Sequence, residues 1–287
     1  MTDAGTGGGR GRTGSEVPGD LYIYYFQGRF PRAMQMPETG FLGNWEEGDS
    51  SFLFFSRPAA ADVQRLVAAA PEGVALQDTY EMTYAEWQGS VPSVQTIGGF
   101  CVVPPWEAAP REGALTLTID PGVVFGNGQH PTTHDCLAAL ELAFSRGPVR
   151  RMIDLGTGTG ILAVAGARLG CQQALAVDLN RLAAVTARRN VQLNHVQDQV
   201  IVAVADALTM AHGPADLVVA NIHYGVMRQL VGSRRFMAGK RAFVLSGLLR
   251  GEAKDIRFVL STMGAKILQE WHRDDVWYTF YAENRSS

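Results

Sequence analysis

Two carboxylates bracket a run of glycines in the middle of this chain. Asp154 stands inside Met-Ile-Asp-Leu-Gly-Thr-Gly-Thr-Gly-Ile-Leu (Met152 to Leu162), which spaces Gly156, Gly158 and Gly160 at alternate positions. The second acid, Asp178, closes the apolar run Ala174 to Val177, roughly 20 residues past the glycines. Strand, glycine turn and helix in succession are how an open α/β sheet brings backbone N–H groups against a nucleotide. Glycine is favoured there where φ > 0 is needed or where a Cβ would block the ligand. Asp154 narrows the choice of ligand, because a carboxylate at the strand end repels a pyrophosphate and suits a cation or an ammonium group. The glycines also run G-x-G-x-G, not the G-x-G-x-x-G of dinucleotide folds. An acid placed like Asp178 can accept hydrogen bonds from both ribose hydroxyls. Together these features point to S-adenosylmethionine, which has a ribose, an ammonium and a sulfonium but no phosphate. The plainer reading is a tight strand-to-helix turn with a solvated Asp178.

Asn221 ends the apolar run of Val-Val-Ala-Asn-Ile-His-Tyr, on the edge where open sheets bind ligands. A neutral amide can accept from an amine substrate without fixing its proton; an Asn that merely caps a loop is the alternative. Asp206 follows the strand candidate Val200 to Val204 and either takes an adenine amino group or starts a turn. His130, before a proline in a glycine-rich loop, is either a general base or a hydrogen-bond strut. His223 and Tyr224 either line the acceptor pocket or belong to a surface loop; His223 is carried forward with Asn221 as a catalytic candidate. No His/Cys/Asp/Glu cluster has metal-ligand spacing and no serine sits in a nucleophile elbow, so no metal is expected.

The elements that must position these residues can be read from the apolar pattern. From Arg150 onward, strand and helix alternate, and Ala265 to Trp271 with Val276 to Tyr281 close the chain as an antiparallel pair. That is a doubly wound, mostly parallel sheet with a reversed last strand. Asn180 is placed to cap a helix from Arg181 to Asn194. Before the glycine turn lies a shaped loop, Asp120 to Gln129, leading through His130 to a helix that starts at Pro131; such a loop can close over a ligand. Farther upstream, Leu21 to Phe26, Phe52 to Phe55 and Val74 to Tyr80 are strand candidates and Ala59 to Ala70 a helix, a small α+β unit. Its aromatics (Tyr22, Tyr24, Tyr25, Phe26, Phe52, Phe54, Phe55) exceed what one sheet face buries, implying either a two-sided core or a docking face. The Pro-punctuated stretch from Trp87 to Glu112 reads as a linker holding one short strand, Gly99 to Val103.

At 287 residues there is room for one large domain and a small one. A net charge of -3 offers no electrostatic case for nucleic acid or an anionic membrane. The basic pairs Arg188-Arg189, Arg234-Arg235 and Lys240-Arg241 read as solvated helix ends. Three cysteines far apart fit reduced core thiols in a cytoplasmic protein. No run approaches a membrane span, and the Gly-, Thr- and Arg-rich start lacks a signal segment and reads as a disordered tail.

The segment DPGVVFGNGQHPTT, Asp120 to Thr133, resembles the D-P-G-x-A-F-G-T-G-x-H-P-T-T signature of the ribosomal protein L11 methyltransferase (PrmA) family. DLGTGTGIL from Asp154, ANI from Ala220 and LSGLL from Leu245 resemble that family's other motifs in the same order, and Ile97 to Trp106 resembles its linker. The resemblance covers about Ile97 to Tyr281. It departs at Asn127, Gln129 and His223, and at Trp87-Gln88, where the family has W-K. It implies a class I methyltransferase fold, that is, a doubly wound, mostly parallel seven-stranded sheet with a reversed last strand, plus a small N-terminal α+β domain. It also implies an enzyme that uses S-adenosylmethionine to methylate protein lysine or N-terminal amines, with Thr133, Gly156, Asp178 and Asn221 contacting the cofactor. Joined to the residue-level reading, the expected cofactor set is Thr133, Asp154, Gly156, Gly158, Gly160, Asp178, Asp206 and Asn221. The expected divisions are a tail over 1–20, a substrate-recognition domain over 21–86, a linker over 87–112 and the methyltransferase domain over 113–287. A cytoplasmic monomer with a ribosomal-protein partner, and without membrane or nucleic-acid contacts, is expected. Similar glycine-loop wording occurs in lysine methyltransferases of other proteins, such as an electron-transfer flavoprotein subunit. A non-catalytic cofactor-binding module is the reading from another class, and nucleic-acid methylation is disfavoured by the acidic charge.

Overall fold

The structure, a computed structural model, describes residues 19–109, 113–273 and 275–284. The tail expected over residues 1–20 lies outside them except for Gly19 and Asp20, and Asp20 already opens the first strand. The chain divides into two compact units, one reaching to Val91 with Pro105–Glu107, the other comprising Pro92–Pro104 and the chain from Ala108 onward.

In the first unit, β1 (Asp20–Gln27), β2 (Phe41–Glu47), β3 (Ser50–Phe55) and β4 (Ala75–Thr83) form an antiparallel sheet in the order β2-β3-β1-β4. Strand β2 was not expected, since Gly43 and two acids interrupt its apolar pattern. Helix α1 (Ala60–Ala69) lays Val63 and Leu66 on Tyr24, Phe26, Leu53 and Phe55. Side chains alternate across a strand, so Phe54 and Tyr25 take the other side. There Phe54 meets Trp87 edge-on at 4.9 Å, and Tyr25 stacks on Phe52 at 4.8 Å. Trp87 belongs to α2 (Tyr84–Gln88), which Thr83 and Glu86 start as a reciprocal capping box.

The second unit begins inside the stretch expected as linker. Here β5 (Gln95–Ile97), β6 (Phe100–Val103) and β7 (Leu115–Thr118) make a three-stranded sheet. Every residue of β6 is buried, and Ile97, Phe100 and Val102 join the large core. Prolines punctuate this stretch without unfolding it, because they fall outside the strands. A methyltransferase domain starting at residue 113 would therefore leave part of its own core behind.

The main sheet contains β8 (Arg151–Leu155), β9 (Gln173–Asp178), β10 (Val200–Val204), β11 (Ala215–Asn221), β12 (Lys240–Leu249), β13 (Ala265–Arg273) and β14 (Trp277–Asn284). Their order is β10-β9-β8-β11-β12-β14-β13, parallel from β10 to β12, with β14 antiparallel to both neighbours. Helices α3 (Pro131–Ser145), α4 (Ile161–Arg168) and α5 (Arg181–Leu193) cover one face. The other face is covered by α7 (Tyr224–Val231), α8 (Arg234–Met237) and α9 (Arg250–Thr262), with the short α6 (Ala207–Met210) after β10. Alternation decides the face: Met152, Leu217, Val219 and Val244 point to the first layer, Ile153, Leu155, Val218 and Phe243 to the second. Asn180 caps α5 as expected, its Oδ1 accepting from Leu182 N at 2.9 Å. Cys101, Cys136 and Cys171 are free and buried. No described helix is long and apolar enough to cross a membrane.

Candidate active site

Strand order reverses between β8 and β11, and ligands of open α/β sheets bind at the carboxyl end of such a switch point. Asp154 and the glycine turn leave β8 there, Asp178 ends β9, and Asn221 ends β11. One sheet edge thus gathers the acids, the glycines and the amide. His223 and Tyr224 follow at the start of α7, and Asp206 starts α6 after β10.

The glycine turn differs from an anion cradle. Gly156 N and Thr157 N donate to Val177 O at 2.8 and 3.0 Å, Gly158 N to Asp178 Oδ2 at 3.0 Å, Thr159 N to Phe125 O at 3.1 Å and Gly160 N to Thr157 O at 2.8 Å. Each donor from 156 to 160 is spent inside the protein, in keeping with a ligand that carries no phosphate. The glycines permit close packing: Gly158 has φ +55°, and a Cβ there would lie 2.6 Å from Phe125 O.

Asp154 is fully buried. Its Oδ2 accepts from Thr157 Oγ1 at 2.6 Å, while Oδ1 has no hydrogen bond of normal geometry among the described residues. Burial pushes its pKa up to about 7. The Thr157 hydroxyl and the Ala163 N–H at the start of α4 oppose the rise, and the Asp178 charge adds to it. Asp178 is likewise raised by burial, against the pull of the N–H groups of Gly158 and Asn180, which bond its two oxygens at 3.0 and 2.8 Å. Both oxygens keep a lone pair.

The loop expected to close over a ligand lies directly on the glycine turn. Thr159 Oγ1 donates to Gly126 O at 2.6 Å, and buried Asn190 clamps the loop's base, taking Asp120 N and donating to Asp120 O and Thr159 O. Asn127 and Gln129 bond one another, Gln129 N to Asn127 Oδ1 at 2.8 Å and Asn127 Nδ2 to Gln129 Oε1 at 2.9 Å. His130 caps α3 through Nδ1, which meets Thr132 N and Oγ1, and burial lowers its pKa, with His134 adding to the fall. The strut role is the one the geometry carries. Its ring also meets Phe125 at 5.2 Å and Trp277 at 5.1 Å, both edge-on.

Asn221 Nδ2 donates to Thr132 Oγ1 at 3.1 Å, tying β11 to the first turn of α3, where Thr133 is buried with its N–H on His130 O. Exposed His223 spends Nδ1 on capping α7 through Gly225 N at 3.2 Å, Tyr224 bonds Asp255, and Asp206 Oδ1 accepts from Leu208 N at 2.8 Å. Residues the sequence reading passed over include Thr132, Asn190, Trp277 and Leu179. Leu179 is 74% exposed immediately after Asp178. Only Leu179 carried a local signal, an apolar residue just past a strand end; the other three act through partners far along the chain.

The sheet order, the switch-point acids and the glycine turn without free donors define the doubly wound fold of class I methyltransferases. Within that class the chain belongs to the ribosomal protein L11 methyltransferase (PrmA) family, whose sequence profile matches residues 72–285. Ribosomal protein L11 methyltransferases of Desulfitobacterium hafniense and Geobacillus kaustophilus are 38% and 35% identical over 186 and 208 residues, 64% and 69% of this chain. The matched stretch spans 59% and 66% of those relatives' own length. The crystal structure of a ribosomal protein L11 methylase from Lactobacillus delbrueckii subsp. bulgaricus shares the fold with a TM-score of 0.59 at 24% identity, covering 67% of this chain and 98% of that one.

Proposed function

We propose that this chain uses S-adenosylmethionine to methylate lysine ε-amines, the N-terminal amine, or both, of ribosomal protein L11. The carrying observation is the pairing of two strand-end acids, Asp154 and Asp178, with a glycine turn whose N–H groups are all engaged. Such a site takes a cation and hydroxyls and refuses a phosphate. Asp154 would hold the amino group of the cofactor, and Asp178 would accept from its ribose. Leu179 offers apolar surface for its adenine, and Asp206 would take the adenine amino group through the oxygen that does not cap α6. Gly156, Gly158 and Gly160 shape the edge by letting Ile222, Phe125 O and Ala187 close on the turn, where a Cβ would lie 3.1 Å or less from each, and Thr133 with Asn221 would complete it.

When bound, the cofactor would supply a sulfonium methyl group, whose carbon the amine lone pair attacks in line as the S–C bond breaks and the neutral thioether leaves. Free lysine is protonated at neutral pH, with a pKa near 10.4, so the protein must favour the neutral amine. Desolvation does this, and the rings of Phe125, His130 and Trp277 provide an apolar wall. Asn221, its Nδ2 held by Thr132, leaves Oδ1 to accept from the amine and aim its lone pair. His223, occupied with α7, is left without a part in this step. The first unit would select the protein substrate.

The test is transfer of labelled methyl groups to purified ribosomal protein L11, with an electron-transfer flavoprotein subunit in parallel. Label on the former supports the proposal; label only on the latter replaces the substrate, and cofactor binding without any transfer supports a binding module. A chain beginning at Gly89 keeps β5 and β6, so it should bind cofactor normally and lose most methylation of intact substrate. Full activity would remove substrate selection from the first unit.

A further inference from the structure

The basic pairs at 234–235 and 240–241 are not uniformly solvated helix ends. Lys240 opens β12 with 2% of its surface exposed, and its Nζ has no hydrogen-bond acceptor among the described residues. The ammonium sits 4.9 Å from the centroid of the Phe236 ring, a contact that offsets only part of the cost of burying a charge. Lys240 also lines a cavity of about 670 Å³, together with Arg151, Arg234, Arg241 and Asp216. None of these three arginines forms an ion pair among the described residues. Asp216 is the one lining carboxylate, and its Oδ2 accepts from Arg150 N and Arg151 N, both at 2.8 Å. Four basic residues and one acid thus line the cavity; Arg241 also donates to Pro148 O at 3.3 Å, and the Lys240 ammonium, buried at the wall, lacks an acceptor.

The cavity lies at the opposite end of the sheet from the switch point. Lys240 pairs with Ala215 at the start of β11, whereas Asn221 pairs with Ser246; six residues of strand separate the pairs by about 20 Å. The volume falls in the range of small-molecule sites, about 300–1,000 Å³, and far exceeds what a single ion needs. Guanidinium groups beside an ammonium match phosphate oxygens, which accept several charge-assisted bonds at once.

We propose that this amino-end cavity is a second binding site, one for a phosphate ester, with Lys240 as its buried anchor. The phosphate belongs either to a free nucleotide or to an RNA backbone. The site is independent of the methyl-transfer edge.

Calorimetric titration of the full chain with pyrophosphate, AMP and a short single-stranded oligoribonucleotide tests this. Binding of at least one probe is expected. Lys240→Met, which keeps the packing on Phe236, should weaken that binding about tenfold or more, the effect of losing a charge-assisted hydrogen bond. The exposed Arg234→Gln weakens it without touching the core, and decides the matter if the Lys240 variant does not fold. Asp178→Ala, at the other edge, should leave pyrophosphate binding unchanged. Pyrophosphate or AMP bound as tightly as the oligoribonucleotide assigns the site to a free ester. A much tighter oligoribonucleotide with a steep salt dependence assigns it to RNA. Absence of binding by all three probes at millimolar concentration, or wild-type affinity in Arg234→Gln together with Lys240→Met, overturns the proposal.

Discussion

The two ends of the parallel sheet carry opposite charge, and each buries an ionisable group with an unsatisfied polar atom. At the carboxyl end it is Asp154, beside Asp178 and a glycine turn with no free donors. At the amino end it is Lys240, among three arginines. A parallel sheet leaves both ends open between its helices, and the strand-end residues set the sign of each opening. A buried polar atom left unpaired costs about 1–3 kcal/mol, more when charged, so both groups are where a ligand of opposite sign gains most.

The largest effect expected on this contrast comes from Asp178→Ala. Loss of the carboxylate proposed to accept from two ribose hydroxyls should weaken S-adenosylmethionine binding by about 100-fold or more, read by calorimetry, with pyrophosphate affinity untouched. Unchanged cofactor affinity would remove the carboxyl end from the comparison.

Gly158→Ala sharpens it by filling the turn. A Cβ 2.6 Å from Phe125 O at φ +55° should lower stability by about 1–3 kcal/mol in denaturant unfolding. Gly213→Ala, with nothing within 4 Å of its Cβ, serves as the control.

Asp154 connects the site to pH. Its folded pKa, about 7, lies above the ordinary 3.8, so its contribution to stability is fully present below pH 3.8 and is lost as pH rises through 7. The charged form that binds an ammonium is the one gained. Cofactor affinity should therefore fall about tenfold for each unit below pH 7, while Asp154→Asn binds weakly with a flat profile. A flat wild-type profile would detach Asp154 from the cofactor.

The smallest effect belongs to Lys240, whose folded pKa of about 8 is depressed by burial from 10.5. Between those values the unfolded chain holds the extra proton, so wild-type stability should rise with pH from 8 to 10.5 relative to Lys240→Met. The other charges lining its cavity are Arg151, Arg234, Arg241 and Asp216, and they are common to both proteins. Parallel stability curves would mean that Lys240 is solvated.

Much of the carboxyl end was legible from local pattern. Asp154, Gly156, Gly158, Gly160, Asp178 and Asn221 all fall where apolar strands stop, and strand ends are visible in a sequence because burial and alternation end there. The amino end was not legible. Lys240 looks like half of a solvated basic pair; Phe236, four residues earlier, does not announce that its ring meets the ammonium, and Arg151 of β8, two strands away, joins it only in the fold. Strand β2 escaped for the related reason that its glycine and acids break the pattern that pairing with β3 then enforces. Prolines near β5 and β6 likewise suggested a linker where a buried sheet edge exists.

What the sequence determined by itself is the doubly wound sheet with its reversed last strand, the capped helices, and the acids and amide at the strand ends, because these follow from short-range periodicity and capping chemistry. Tertiary structure alone decided how the donors were spent. Val177 O and Phe125 O consume N–H groups of the glycine turn, Asn190 clamps a loop some 70 residues upstream, and Lys240 is enclosed without an acceptor. Hydrogen bonding and desolvation depend on which distant groups share a space, and only the folded chain assigns that.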